Sequence, residues 1–151
     1  MKRIPVVVAA VPEGDTVELQ DGRVVRLAQV DAPAAVAGEC YGVRARQALR
    51  ALLPKGTRVR LESDPALDPV DAEGRLVRYV RVQGENVNLL LVRAGAVSVW
   101  FAGGDRGRYA DDLLGEAKAA RAARIGLWRE CPGTRLDPKR PALTIAPTGR
   151  R

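Results

Sequence analysis

Histidine is absent from all 151 residues, which excludes His-based triads and His-ligated metal centres. Two cysteines, Cys40 and Cys131, are too few for a zinc site built on thiolates. Any metal is therefore expected to be a hard cation held by oxygen. No stretch approaches the ~20 apolar residues of a membrane span, and no membrane partner is expected, although the charge alone would also suit an anionic membrane surface. What is present is a chain 46% hydrophobic and 28% charged. That apolar fraction excludes disorder of the whole chain, and the length suits one globular domain.

The charge is basic: 25 Lys and Arg against 18 Asp and Glu give +7, which favours a polyanionic partner. Residues 132–151 hold five basic residues and one acid, a net +4, leaving +3 for residues 1–131 with 20 basic and 17 acidic. Pro132, Pro138, Pro141 and Pro147 argue against a helix or central strand there. The expected division is thus a folded domain over 1–131 and a flexible basic tail over 132–151. The tail reads either as a phosphate-attracting segment or as a solubilising terminus. Arginine outnumbers lysine 21 to four, and the guanidinium fork suits phosphate, although a GC-rich genome gives the same bias.

Lys2 and Arg3 before an apolar stretch superficially suggest a signal peptide. The β-branched Val6, Val7 and Val8 and the turn Pro12-Glu13-Gly14-Asp15 favour a first strand instead, and any export signal is expected upstream of this chain. Strands are predicted over 4–12, 15–20 and 23–30, separated by Glu13-Gly14 and Asp21-Gly22. A helix over 42–53 follows, stopped by Pro54 and Gly56. Two strands over 58–63 and 76–83 come next. A short helix over 89–94 has Asn88 as its N-cap, and a last helix covers 107–124 with Gly126 as its stop. The predicted class is mainly β with α. Five strands and three helices, with one helix between the third and fourth strands, match the order of an OB-type barrel. Leu19, Leu27, Leu61, Val80, Leu90 and Leu113 are expected in its core.

Asp15 follows a hairpin turn and Asp31 ends the third strand in Asp31-Ala32-Pro33. They are either ordinary turn residues or, brought together by a strongly coiled sheet, a Ca²⁺ or Mg²⁺ site. Arg26 and Arg75 are either solvated strand charges, like Arg58, Arg60, Arg78 and Arg81, or the fixed cations that phosphodiester hydrolysis needs at its transition state.

The ordered series Glu13-Gly14-Asp15-Thr16, Val25-Arg26-Leu27, Val30-Asp31-Ala32-Pro33, Cys40-Tyr41-Gly42, Gly74-Arg75, Val87-Asn88 and Gly126-Leu127-Trp128 resembles the thermonuclease (staphylococcal nuclease-like) family across residues 5–131. The resemblance implies an OB-fold barrel with appended helices that hydrolyses DNA and RNA with Ca²⁺. It implies that Asp15 and Asp31 are metal carboxylates, that Ala32 ligates through its carbonyl, and that Arg26 and Arg75 bind phosphate. The family's Asp-x-Pro-Glu motif ends here in Ala34, which can neither position nor deprotonate water; losing a general base costs about a hundred- to ten-thousand-fold. Glu13 replaces an Asp, and Ala72 and Glu73 stand where the type member has Lys-Tyr for the terminal phosphate and base. An aromatic without the pocket's hydroxyl falls near Trp100-Phe101. Glu39 is the loop carboxylate that could reach the water in place of residue 34, within a segment from Pro33 to Tyr41 that is short for the family.

The resemblance also implies that Cys40 and Cys131 approach each other as a disulfide, hence an oxidising, secreted or otherwise extracytoplasmic location. The expected activity is a Ca²⁺-dependent nuclease acting on DNA or RNA without sequence specificity, impaired at Ala34, and monomeric. The alternatives are a catalytically inactive OB module that binds nucleic acid and a protein-interaction domain with incidental charges.

Overall fold

A two-residue turn of Gly14 and Asp15 joins the first strand, β1 (Val8–Glu13), to β2 (Thr16–Leu19), with Glu13 opposite Thr16. The computed structural model describes residues 6–141; residues 4–5 of the expected first strand and 142–151 of the expected tail lie outside them. Gly14 is needed for a close approach: a Cβ there would meet the Cβ of Ala45 at 2.9 Å and that of Ala32 at 3.1 Å. The turn is thereby pressed against the first helix, α1 (Gly42–Leu52), and Asp15 is placed with it. β2 returns antiparallel into β3 (Val24–Leu27). The expected strand over 23–30 is broken because Gln29 adopts a left-handed φ of 66°. β4 (Val30–Asp31) follows the break and pairs with β8 (Ser98–Val99).

β3 also pairs in parallel with β6 (Leu76–Val82), which is flanked by antiparallel β5 (Arg60–Glu62) and β7 (Glu85–Asn86). The result is a six-stranded mixed sheet in the order β1-β2-β3-β6-β5, with β7 on β6. The ends of that path touch. Val7 bridges Arg58, the Val8 N–H donates to the Thr57 carbonyl at 2.9 Å, and the Val59 N–H donates to that of Val6 at 2.9 Å. The remaining helices are α2 (Val87–Arg93), α3 (Ala110–Ala122) and α4 (Leu127–Glu130). The fold among the described residues is therefore mixed α/β with four helices rather than three. The fourth arises because Gly126, expected only as a stop, turns the chain at φ 61° into one more helical turn.

Leu19, Leu27, Val80 and Leu113 are buried as expected, while Leu61 and Leu90 are only half-buried. Leu61 lies on β5 at the end of the strand path. α2 presents Val87, Asn88, Leu91 and Val92 inward, which leaves Leu90 off the buried face. The cap of α2 is Asn86, whose Oδ1 accepts from the Leu89 N–H at 3.1 Å. Asn88 instead sits in the core, donating to the Ala28 carbonyl at 2.8 Å and accepting from the Val80 N–H at 3.1 Å. A buried amide that satisfies two strands in this way ties α2 to β3's exit and to β6.

Beyond Cys131 the described residues form turns, as the prolines predict, yet Leu136 packs on the core and the Phe101 N–H donates to the Pro138 carbonyl at 2.6 Å. Cys40 and Cys131 form a disulfide, Cα atoms 6.0 Å apart, across a separation of 91 residues. Among the described residues no helix is long and apolar enough to cross a membrane.

A polar cluster fastens α3 to the sheet. Tyr79 and the Arg108 N–H donate to Asp64 Oδ2 at 2.7 and 2.8 Å, while Tyr109 and Arg81 donate to Glu62, each at 2.7 Å. Burial is the largest influence on both carboxyls and raises them. The hydrogen bonds from Arg108, Tyr79 and Ala66 to Asp64, and from Arg81, Tyr109 and Arg108 to Glu62, outweigh it, and both titrate below their ordinary values of 3.8 and 4.5. The unfolded chain then binds more protons than the native one as acid is added. Stability is expected to be full at neutral pH, to start falling below about pH 4.5, and to be lost as pH drops through the depressed native values. Urea unfolding at pH 7 and pH 3 checks this: Asp64→Asn should lose less stability between the two than wild type. Equal losses in both proteins would contradict it.

Candidate functional site

Three short segments converge where β2 begins and β3 ends. Asp15 arrives on the β1–β2 turn, Arg26 on β3, and Asp31 at the end of β4 just past the Gln29 kink. Arg26 Nη2 lies 2.9 Å from Asp31 Oδ1 and 3.3 Å from Asp15 Oδ2, with the three side chains only 10–16% exposed. Its Nη1 donates to the Val30 carbonyl at 2.8 Å and to that of Leu27 at 3.0 Å. One guanidinium thus holds the strand break and both carboxylates in register. Asp15 is fixed further by the Thr16 hydroxyl at 2.9 Å and by the Ala32 N–H at 2.8 Å.

The two carboxylates face a single cationic nitrogen, so both can serve one positive centre. Oxygen donors of this kind suit a hard divalent cation. Among the described residues no group of three or more His, Cys, Asp or Glu is gathered to hold a metal. Asp15 and Asp31 are the two side-chain carboxylates that meet at Arg26.

Arg26 also lines a cleft of about 340 Å³, and Arg75, immediately before the neighbouring β6, lines it too. Trp100 borders it, with the Arg26 Cζ 5.9 Å from the ring centre, and Leu67, Val70 and Val77 form an apolar side. Ala72 and Glu73 line it as well. Phe101 turns into the core, 2% exposed, so only Trp100 of that pair faces the cleft. Arg75 is oriented by Asp71, its Nε donating to Oδ2 at 2.8 Å. Burial raises the Asp71 carboxyl most, but the hydrogen bonds from Arg75 and Glu73 hold it below its ordinary value.

Ala34 follows Asp31-Ala32-Pro33 with no side chain able to take a proton. The two acids nearest in sequence to the site are turned to the loop's backbone. Glu39 Oε1 accepts from the Ala34 N–H at 2.7 Å, and Glu13 accepts from Ala35 at 2.6 Å and from Val36 at 3.2 Å. The loop is packed as well as hydrogen-bonded, since a Cβ on Gly42 would meet the Ala34 carbonyl oxygen at 2.6 Å.

Asp15, Arg26, Asp31 and Ala32 are therefore brought together, and Arg75 lines the same cleft as Arg26. Asp71 and Asp105, both on the cleft wall, were not singled out from sequence. For Asp71 a signal existed: an Asp four residues before Arg75, closing a turn on Gly74. Asp105 carries none, being a loop residue after Gly103 and Gly104.

A family model described as staphylococcal nuclease homologue matches residues 24–130. No curated protein matches the chain. The matched stretch contains Arg26, Asp31, Ala32, Ala34 and Arg75 and begins after the hairpin that carries Asp15. It covers well over half of the chain, and with it the chain belongs to the staphylococcal nuclease family.

Proposed function

We propose that this protein is a slow, Ca²⁺-dependent nuclease that hydrolyses phosphodiester bonds of DNA or RNA without sequence specificity. The observation that carries the proposal is the convergence of Asp15 and Asp31 on Arg26, which lines one cleft together with Arg75. Asp15 and Asp31 would hold the cation, with the Ala32 carbonyl as a third donor. When bound, the cation supplies charge neutralisation at the phosphate and a more acidic water. Arg26 and Arg75 present fixed positive charge to the equatorial oxygens, where negative charge grows in the transition state. Trp100 offers a flat face for a base. Position 34 supplies no base, and this sets the expected slowness. The strand order, with Val7 bridging Arg58, supports an OB-type barrel as the scaffold. The disulfide supports an extracytoplasmic location, and a monomer is the proposed state.

A second reading, a nucleic-acid-binding module without hydrolysis, draws support from Ala34 and from the engagement of Glu13 and Glu39 with loop N–H groups. Cleavage of DNA and RNA with Ca²⁺ and with chelator separates the two. Chelation should abolish activity, and Arg75→Ala should lower it about a hundredfold or more. Equal rates in wild type, Asp31→Ala and a chelated sample would overturn the nuclease reading. Nucleic-acid binding that weakens steeply with salt would then favour the second.

A further inference from the structure

The two guanidiniums of the cleft stand in different company. Arg26 is occupied on its inner side by two carboxylates and two carbonyls. Arg75 sits at the end of a tight turn in which Asp71 Oδ1 accepts from the Glu73 and Arg75 N–H groups, each at 2.9 Å. The Asp71 N–H donates to the Arg75 carbonyl at 2.9 Å, and the Gly74 N–H donates to that of Asp71 at 3.0 Å. This turn fixes the backbone of Glu73 while leaving its side chain 73% exposed, with Oε1 3.7 Å from Arg75 Nη2. Arg75 is thus shared between a carboxylate anchored in the turn, Asp71, and an exposed one, Glu73. Asp68 and Asp105 line the same cleft, so its lining holds four acids and two arginines. Ala72, beside Glu73, adds no charge.

From this arrangement we propose that Glu73 is a specificity-determining residue that turns the cleft against terminal phosphates and toward internal phosphodiesters. The proposal rests on the nuclease reading above. An internal phosphodiester carries one negative charge. A terminal phosphomonoester carries about −1.5 to −2 at neutral pH, its second pKa lying near 6. Arg75 alone would favour the more highly charged end; with Asp71 and Glu73 against it, the added charge meets repulsion instead of a spare cation. Because Glu73 is exposed, solvent screens the effect to a few-fold preference. Such a site cuts within chains, and product ends bearing a phosphate are released rather than retained.

The test measures binding, with and without Ca²⁺, of one dinucleotide in two forms: with hydroxyl ends, and with a 5′-phosphate. At pH 8 wild type should bind the hydroxyl-ended form at least as tightly as the phosphorylated one. Glu73→Gln should shift the affinity ratio about two- to fivefold toward the phosphorylated form. Glu85→Gln, which removes the same charge outside the cleft lining, should leave the ratio unchanged. At pH 5.5, where the terminal phosphate has lost part of its second charge, the wild-type discrimination should shrink. A ratio unmoved by Glu73→Gln, or a wild type that prefers the phosphorylated form, would overturn the role of Glu73 and leave the nuclease reading standing. Failure of either form to bind any of the three proteins would overturn both.

Discussion

Ala34→Glu is expected to raise the rate of phosphodiester cleavage by about a hundred- to ten-thousand-fold, the usual worth of a positioned general base. The backbone that would carry the new carboxylate is fixed at both ends of its peptide. Its N–H is held by Glu39 Oε1 at 2.7 Å, and its carbonyl accepts from the Glu39 N–H at 3.0 Å. Gly42 abuts it closely enough to exclude a Cβ. The residue is only half-buried, so a longer side chain has room to leave the loop. Single-turnover kinetics of wild type and variant at saturating Ca²⁺ read the gain directly. An unchanged rate in a variant that retains wild-type nucleotide binding would show that the loop over 33–41 holds residue 34 out of reach of the water, since base catalysis tolerates little misplacement.

Loss of the Cys40–Cys131 bond is expected to cost about 2–4 kcal/mol of stability, because the cross-link removes the freedom of a very long loop from the unfolded chain. For a chain of this size that corresponds to a fall in Tm of roughly 5–15 °C. The structural setting favours the upper part of the range. Ala120, Leu127, Trp128 and Cys131 form a small apolar cluster of their own, with Cys40, Tyr41 and Leu136 against it. A cluster that small depends on its covalent tie to stay seated. Thermal unfolding of oxidised protein, reduced protein and a Cys40→Ser, Cys131→Ser double variant gives the comparison. Equal melting in all three would remove the argument for an oxidising compartment along with the stability claim. Cys40 directly follows Glu39, which holds the Ala34 N–H. The gain from Ala34→Glu should therefore be smaller in the reduced protein, a coupling that additive effects would not produce.

Much of this site could be read in the sequence because its parts lie at element ends marked by strong local signals. Gly14-Asp15 is a turn, Asp31-Ala32-Pro33 ends a strand, and Gly74-Arg75 opens one; each places a charged residue where a backbone change is forced. The convergence of Asp15 with Arg26 and Asp31 was not readable from spacing, since it depends on the kink at Gln29 and on the pressing of Gly14 against Ala45. The same holds for the misplaced cap. Asn86 and Asn88 are equally good caps by composition, and only the demand of the Ala28 carbonyl and the Val80 N–H for a buried partner separates them. β7 and β8, two residues each, are too short to carry a periodic signal. Asp105 is recruited to the cleft by a loop whose path is held from elsewhere, by Gln29 donating to its carbonyl at 3.1 Å.

The parallel pairing of β3 with β6 has a kinetic side. Val25 lies opposite Leu76, about fifty residues further along the chain, with α1 and β5 between them. No hairpin can form this pair, so the loop must close before any of its contacts contribute. The N-terminal hairpins of β1, β2 and β3 can assemble early from local contacts alone. Arg26 waits on β3 until β6 arrives, and Arg75 arrives with it, one residue before the β6 partner of Val25. The cleft that the two arginines line is therefore expected to be completed late in folding, after the first three strands have assembled. Substitutions along the β3–β6 seam should then slow folding and delay the appearance of the site together, whereas those in the β1–β2 hairpin change stability without separating the two events in time.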